Sequence, residues 1–358
     1  MNDLIRRRLA NQRLLRSSFR TPKDVVSWLG AMQSQDYAGA KWAIGLRAPV
    51  TDDEVERACN EGSIVRTHVL RQTWHFVARD DIRWLLALSG PRVNAVNAHY
   101  YRKMDLDERT FARSRTVIER ALRGEQHLTR PELKAALGRA GIVADGPRLA
   151  FLIMRVELDA VVCSGPRRGG QLTYALLEER VPRAKSLDRD AALAKLARRY
   201  FASHGPATLR DYVWWSGLTV RDAKKGIDLA ASTLEREEDE GFTYWSAGGR
   251  APKVATSPVA HLLPNYDEYL IAHKDRHLVV SDGSGDGVTR IKDPFIHHVV
   301  IGGRLAGSWT RTVNARSVAV ECSTYVRPTR EATRAIETAV ARFGRFMGRD
   351  GSFTVSAK

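Results

Sequence analysis

The chain has 358 residues, 43% of them hydrophobic and 27% charged, enough for two or three domains at ~100–200 residues each and the mix of a folded soluble protein. Lys plus Arg number 57 against 41 Asp plus Glu, a net charge of +16, which points to a polyanionic partner, nucleic acid or an anionic membrane surface; a host rich in Arg codons would explain Arg in place of Lys but not the excess over acids. No run reaches the ~18 apolar residues of a membrane span, and Cys59, Cys163 and Cys322 are far apart without a pairing motif, so the expectation is a cytoplasmic, nucleoid-associated protein with reduced thiols, no disulfide and no zinc site.

The N-terminus has basic residues without a following apolar h-region, so it is no secretory signal. It reads as an amphipathic helix with Leu4, Leu9 and Leu14 on one side. Thr21-Pro-Lys-Asp24, Thr129-Arg-Pro-Glu132 and Thr208-Leu-Arg-Asp211 each place an acid three residues after a Thr, and each run reaches a Gly (Gly30, Gly138, Gly217) nine residues after the Thr. A hydroxyl that caps the first turn, an acid in its positive field and a Gly able to close the helix left-handed describe a short helix capped at both ends. Such a helix, followed by a second, opens a helix-turn-helix, and three copies suggest a repeated unit, although a single copy would mean little.

The segment after each copy supports the repeat. Residues 63–69 and 73–77 alternate like two strands around a bend carrying Arg71. After the second copy, a buried helix from Arg148 leads to strands at 160–164 and 171–175, with Arg167 and Arg168 at the hairpin tip, where a wing meets the phosphate backbone. After the third, Thr219 opens another capped helix and a strand begins at Gly241. The acidic stretch from Glu235 to Glu240 would be repelled by phosphate and reads as a solvated face turned away from DNA. Beyond Pro252 come short strands, the turn Gly302-Gly303, a helix from about Thr329 to Met347 and a last strand. The expected fold is therefore α+β and helix-dominant. Winged helices span 1–100, 101–186 and 187–250, and a small β-rich domain, a partial barrel, spans 251–358.

Several constellations carry no chemistry. Asp282, Ser284, Asp286 and Asp293 imitate a calcium loop, but Arg290 stands at a ligand position and flanking helices are missing, so a Gly-rich loop is the simpler reading. The pairs His297-His298 and His273/His277 lack a carboxylate or Cys to complete a ligand set. No GxSxG, Walker A or dinucleotide motif occurs. What remains is Gln33-Ser-Gln35-Asp36 after the first capped helix. By itself Gln-x-Gln describes two polar residues at a helix start. Here it is expected at an exposed turn of a helix-turn-helix, where helix N-termini meet nucleic acid, beside the apolar Met32, Tyr37 and Trp42.

The chain also resembles the AlkZ-like, or YcaQ-like, winged-helix DNA glycosylases along most of its length. The resemblance rests on Met32-Gln33-Ser-Gln35-Asp36, on Val65-Arg66-Thr67-His68 through Thr73-Trp-His75, on Gly205-Pro206-Ala-Thr208 with Trp214-Trp215, and on Leu262-Leu-Pro264 through Asp267-Glu268-Tyr269 with Lys274-Asp275-Arg276. Gln72 departs from the Gly common in the family and puts the shape of that hairpin in question. The resemblance implies hydrolysis of the N-glycosidic bond of N7- or N3-alkylated purines in duplex DNA, bulky adducts or cross-links among them, by a monomer that needs no cofactor or metal. It implies catalytic Gln33 and Gln35, since the AlkZ-like group carries Gln-x-Gln where the YcaQ-like group carries Gln-x-Asp. Arg66, His68, Arg71 and His75 of the first wing, with Arg167 and Arg168 of the second, are the expected DNA contacts. The alternative is a non-catalytic winged-helix regulator, but such proteins usually read half-sites as dimers, whereas three units in one chain already supply an asymmetric cradle.

Overall fold

The computed structural model describes residues 2–181, 187–248, 258–280 and 296–357. Helix α1 (Asp3–Asn11) buries Leu4, Ile5 and Leu9. Next come α2 (Pro22–Leu29), β1 (Met32–Gln33), α3 (Tyr37–Gly45), α4 (Asp52–Asn60), β2 (Ile64–His68) and β3 (Trp74–Ala78), the strands forming an antiparallel sheet in the order β1-β3-β2. A long helix, α5 (Ile82–Lys103), runs across the boundary expected at residue 100.

The same succession then recurs. It is built from α6 (Glu108–Leu122), β4 (Leu128–Thr129), α7 (Arg130–Arg139), α8 (Pro147–Leu158), β5 (Val162–Ser164) and β6 (Thr173–Leu176), again with the first strand beside the last, β4-β6-β5. After the short α9 (Leu177–Arg180) it occurs a third time in α10 (Arg189–His204), α11 (Leu209–Ser216), α12 (Val220–Ala230), β7 (Glu235–Asp239) and β8 (Phe242–Ser246). Here the first strand shrinks to one bridge, Ala207 to Trp245.

All three N-terminal capping signals form as the sequence suggests, and Gly30 and Gly217 end their helices at positive φ, but Gly138 lies inside α7, which runs on to Arg139 and closes at Ala140. The carboxylates of Asp24, Glu132 and Asp211 accept the N–H of Thr21, Thr129 and Thr208 at 3.0, 2.7 and 3.0 Å. They do not mark equivalent helices, however. Thr21 caps the helix before the first strand of its unit, whereas Thr129 and Thr208 cap the helix after it. The counterpart in the first unit is α3, capped by the Asp36 carboxylate on the Gly39 N–H. With Gly at the third position, that cap carries no Thr-x-x-acid signature.

Among the described residues the last part is a five-stranded sheet that does not close into a barrel. It contains β9 (Ala260–Leu263), β10 (His297–Ile301), β11 (Arg304–Val313), β12 (Ser317–Thr324) and β13 (Asp350–Ala357), in the order β13-β12-β11-β10-β9. Between β9 and β10 lies the short helix α13 (Glu268–Ile271), and α14 (Arg330–Met347) crosses between β12 and β13, which makes that pair parallel. The sheet shares one hydrophobic core with α1 to α4. Trp42 of α3 donates its indole N–H to the Leu262 carbonyl at 2.7 Å and packs edge-on against Phe343 of α14. The described residues from 258 onward thus contribute to the same core as the first unit.

Candidate active site

Gln33 is not on an exposed turn. It lies half-buried on β1, directly opposite His75 of β3. Opposed residues of an antiparallel pair point to the same face, so Gln33 and His75 share one side of the sheet. As the edge strand, β1 sends only alternate N–H groups to β3. The Ser34 N–H donates to the Trp74 carbonyl at 2.7 Å, while that of Gln33 points outward and donates to the Glu268 Oε1 at 2.9 Å.

The Gln33 side chain borders a cavity of about 580 Å³ whose wall includes Arg71, Trp214, Asn265, Tyr266 and Lys274. That volume lies within the ~300–1,000 Å³ of small-molecule sites. Five parts of the fold supply the wall: β1, the bend between β2 and β3, the end of α11, the segment around α13, and the start of β10 with Ile296 and His298. The bend is pressed onto α11. Gly217, which closes α11 at φ +67°, has so little room that a Cβ there would lie 2.2 Å from the Leu70 carbonyl oxygen. Arg71 seals the junction, donating to the Trp214 carbonyl and to the Gln33 Oε1, both at 3.1 Å. Burial lowers the Arg71 pKa, and the nearby Glu268 charge opposes that shift. Trp214 is 40% exposed, its ring fixed by an indole N–H to the Ile271 carbonyl at 2.9 Å, with the Lys274 ammonium 4.2 Å from its centre.

The other expected site residues are distributed differently. Gln35 is exposed and has no protein hydrogen-bond partner among the described residues. His75 is buried, its Nδ1 2.9 Å from the Thr73 carbonyl oxygen, which makes Nδ1 the protonated nitrogen. Burial, with Arg71 next, holds its pKa well below the ordinary value. His68 is buried and bonded to the Glu157 carboxylate of α8. Arg66 stacks on Trp74 at 4.3 Å and donates to the Ser34 carbonyl at 3.1 Å. His68 and His75 are therefore buried rather than displayed on a wing surface, and Arg71 is turned inward onto Gln33 rather than outward at a hairpin tip. Arg167 and Arg168 do flank the β5–β6 turn, yet both are held by acids: Arg167 by Glu56 at 3.3 Å and Arg168 by Glu132 at 2.5 Å. The calcium-like stretch 282–293 lies outside the described residues. Among the described residues no cluster of His, Cys, Asp or Glu could hold a metal, and no helix is long and apolar enough to cross a membrane.

Sequence reasoning gave no role to two acids beside the cavity. Asp267 receives both terminal nitrogens of Arg47 at 2.8 Å, each side chain fully buried. Glu268 takes the Gln33 N–H and, on its other oxygen, the Trp215 indole N–H at 2.9 Å. Their one signal was their place in the run Tyr266-Asp-Glu-Tyr269, where two acids among apolar residues need partners to be buried.

The family model described as DNA glycosylase AlkZ-like matches residues 26–346, a span that includes Gln33 and the whole cavity wall. The chain belongs to this family. A relative of this AlkZ-like chain, the interstrand DNA cross-link repair glycosylase of Streptomyces sahachiroi, is 24% identical over 301 residues, covering 80% of this chain and 81% of that protein. The solved structure of Streptomyces sahachiroi DNA glycosylase AlkZ superposes with a TM-score of 0.79 at 20% identity, over 99% of this chain and 98% of that one. The fold is thus that of an AlkZ-like glycosylase from end to end, and membership sets aside the reading as a regulator.

Proposed function

We propose that this AlkZ-like chain is a monofunctional glycosylase for N7- and N3-alkylated purines in duplex DNA, with bulky adducts and interstrand cross-links within its range. The repeated helix–strand–helix–helix–strand–strand units are read as three winged helices that cradle the duplex around a single bound monomer. The observation that carries the proposal is the Gln33 carboxamide on the wall of a cavity bordered by the cations Arg71 and Lys274.

The chemistry suits an amide. A purine alkylated at N7 is already cationic. Breaking the C1′–N9 bond returns the electron pair to the base, which leaves neutral and needs no general acid. Water adds its oxygen to the oxocarbenium-like C1′ and gives up a proton to solvent. Gln33 has two lone pairs on Oε1, and Arg71 takes one. The second orients the water, and the NH₂ holds a sugar or phosphate oxygen. An amide is no strong base, so catalysis is confined to bonds that are already labile. The volume and the Trp214 face leave room for the substituent of a bulky adduct, consistent with the cross-link activity in the name of the relative.

The test is single-turnover base release from a duplex containing N7-methylguanine, with alkali to cleave abasic sites. Gln33→Ala is expected to slow release by one to three orders of magnitude, about 1.4 kcal/mol per tenfold, and borohydride is expected to trap no covalent adduct, since water is the nucleophile. Wild-type release by Gln33→Ala, or a trapped species, would overturn this mechanism.

A further inference from the structure

The Gln33 N–H faces away from β3 and onto Glu268, an acceptor that is only 1% exposed. An unpaired buried N–H is costly, and β1 is only two residues long, too short for its own ladder to fix its position. The carboxylate that takes this N–H is itself clamped. Its second oxygen receives the Trp215 indole N–H at 2.9 Å and lies 3.4 Å from the His204 Nε2, and the Glu268 backbone carbonyl receives the Gln12 amide at 3.3 Å. Trp215 and His204 are fully buried. Helices α10 and α11 and the α13 loop therefore converge on one carboxylate, and that carboxylate holds the backbone of the residue whose side chain faces the cavity.

We propose that Glu268 is the positioning residue of this glycosylase: its carboxylate fixes the backbone of Gln33, and so the carboxamide on the cavity wall, while its negative charge offsets Arg71 beside the place where a cationic sugar forms. The charges carry the second half. Arg71 bonds to the Gln33 Oε1 and brings a positive charge to the site of a developing cation. Glu268 lies behind the same residue, one backbone N–H away, and its charge acts on the Arg71 guanidinium, opposing the effect of burial. The proposal rests on the glycosylase reading of Gln33 and extends it to a residue that touches neither DNA nor the attacking water.

The experiment uses the full chain and a duplex containing N7-methylguanine. Glu268→Gln keeps the shape, but its NH₂ must face either the Gln33 N–H or the Trp215 N–H, a donor against a donor. It is expected to lower the single-turnover rate constant ten- to a hundredfold while affinity for undamaged duplex stays within twofold. In a Gln33→Ala background the same change is expected to cost less than threefold, because the side chain to be positioned is gone. Amide exchange of the peptide containing residues 31–36 is expected to quicken in Glu268→Gln. Glu268→Asp, which keeps the charge but is one methylene short, serves if Glu268→Gln melts below the assay temperature; an intermediate loss is expected of it. A rate equal to wild type, or losses that multiply fully in the double variant, would overturn the proposal. If the wild-type protein releases no base, the glycosylase reading fails, and the exchange measurement still decides whether Glu268 holds the strand.

Discussion

Arg71 joins Gln33 to Trp214, donating from one guanidinium nitrogen to the Gln33 Oε1 and from the other to the Trp214 carbonyl, each at 3.1 Å. The bend between β2 and β3 is thereby tied to the end of α11 across the cavity wall. Lysine, with a single ammonium on a flexible stem, cannot reproduce a planar two-point link. Arg71→Lys is expected to slow base release about tenfold and Arg71→Ala further, with stability lowered by about 1 kcal/mol for the lost bonds. Single-turnover rates beside urea titrations check this. Unchanged rates in both variants would show that Gln33 holds its place without Arg71.

Gln35 is exposed and has no protein hydrogen-bond partner among the described residues, which leaves its side chain free to meet DNA. Gln35→Asp puts a carboxylate there, as in the Gln-x-Asp group. Next to the sugar, that charge is expected to keep or raise the rate on simple methylpurines through stabilisation of the cation. The check is base release together with duplex affinity. Loss of both would place Gln35 against a phosphate instead.

The helices were legible because their caps are local chemistry: Thr21, Thr129 and Thr208 each bond to an acid three residues on, whatever lies around them. The hairpin at 64–78 was legible from alternation, whereas at 235–246 only the strand from Gly241 was, because the acidic run Glu235–Asp239 that forms β7 reads as a solvated face. The repeat's register was not, because Asp36 caps α3 without the signature shared by Thr129 and Thr208. The site was half legible. Gln33 and Arg71 stood out as residues, but the inward turn of Arg71 depends on the tight approach of Leu70 to Gly217, a contact between residues far apart in the chain. Glu268 is invisible as a functional group in sequence, because its importance lies in an N–H it receives from a residue 235 positions away.

Arg47 and Asp267 form a buried, two-point ion pair with both side chains at 0% exposure. Removing one partner strands the other charge in the interior, which typically costs about 3–5 kcal/mol. Asp267 also caps α13 through the Tyr269 N–H at 2.9 Å, next to Glu268. Asp267→Ala is therefore expected to lose stability in that range and base release with it, as read by urea unfolding and by the glycosylase assay. A loss under 1 kcal/mol would mean that Arg47 finds another acceptor.

Stability should fall on mild acidification. Burial lowers His261 and His297 to about 4 and His75 and His273 well below 6.5. Unfolded, each takes a proton near 6.5; folded, each stays neutral until far lower pH. Unfolding then takes up protons as pH drops, so the stability these groups confer is complete above about 6.5 and is lost between there and 4. Each contributes a slope of up to about 1.4 kcal/mol per pH unit. Urea unfolding at pH 7, 6 and 5 is expected to show a steep decline, and His297→Gln a shallower one by about one proton. A flat profile over that range would mean that these histidines charge in the folded state.

Arg168 and Arg167 separate two ways for a cation to sit near a hairpin turn. Arg168 has half its side chain in solvent and one acidic neighbour, Glu132, itself 42% exposed. Arg167 is 27% exposed and bound by Glu56, by the Gly170 carbonyl at 2.8 Å and over the Tyr37 ring at 5.3 Å. A phosphate can displace the first partner by mass action far more readily than the second set. Binding to undamaged duplex is expected to be independent of sequence and to weaken steeply with salt, as the net charge of +16 requires. Arg168→Ala is expected to weaken that binding by a similar factor on every sequence and to lower the log–log salt slope by about one. Arg167→Ala is expected to leave the slope nearly unchanged and to lower stability instead, through its lost contacts to Glu56 and Tyr37. Fluorescence anisotropy over a salt series on two unrelated duplexes makes the comparison. Equal slopes for wild type and both variants would place the DNA path away from the β5–β6 turn.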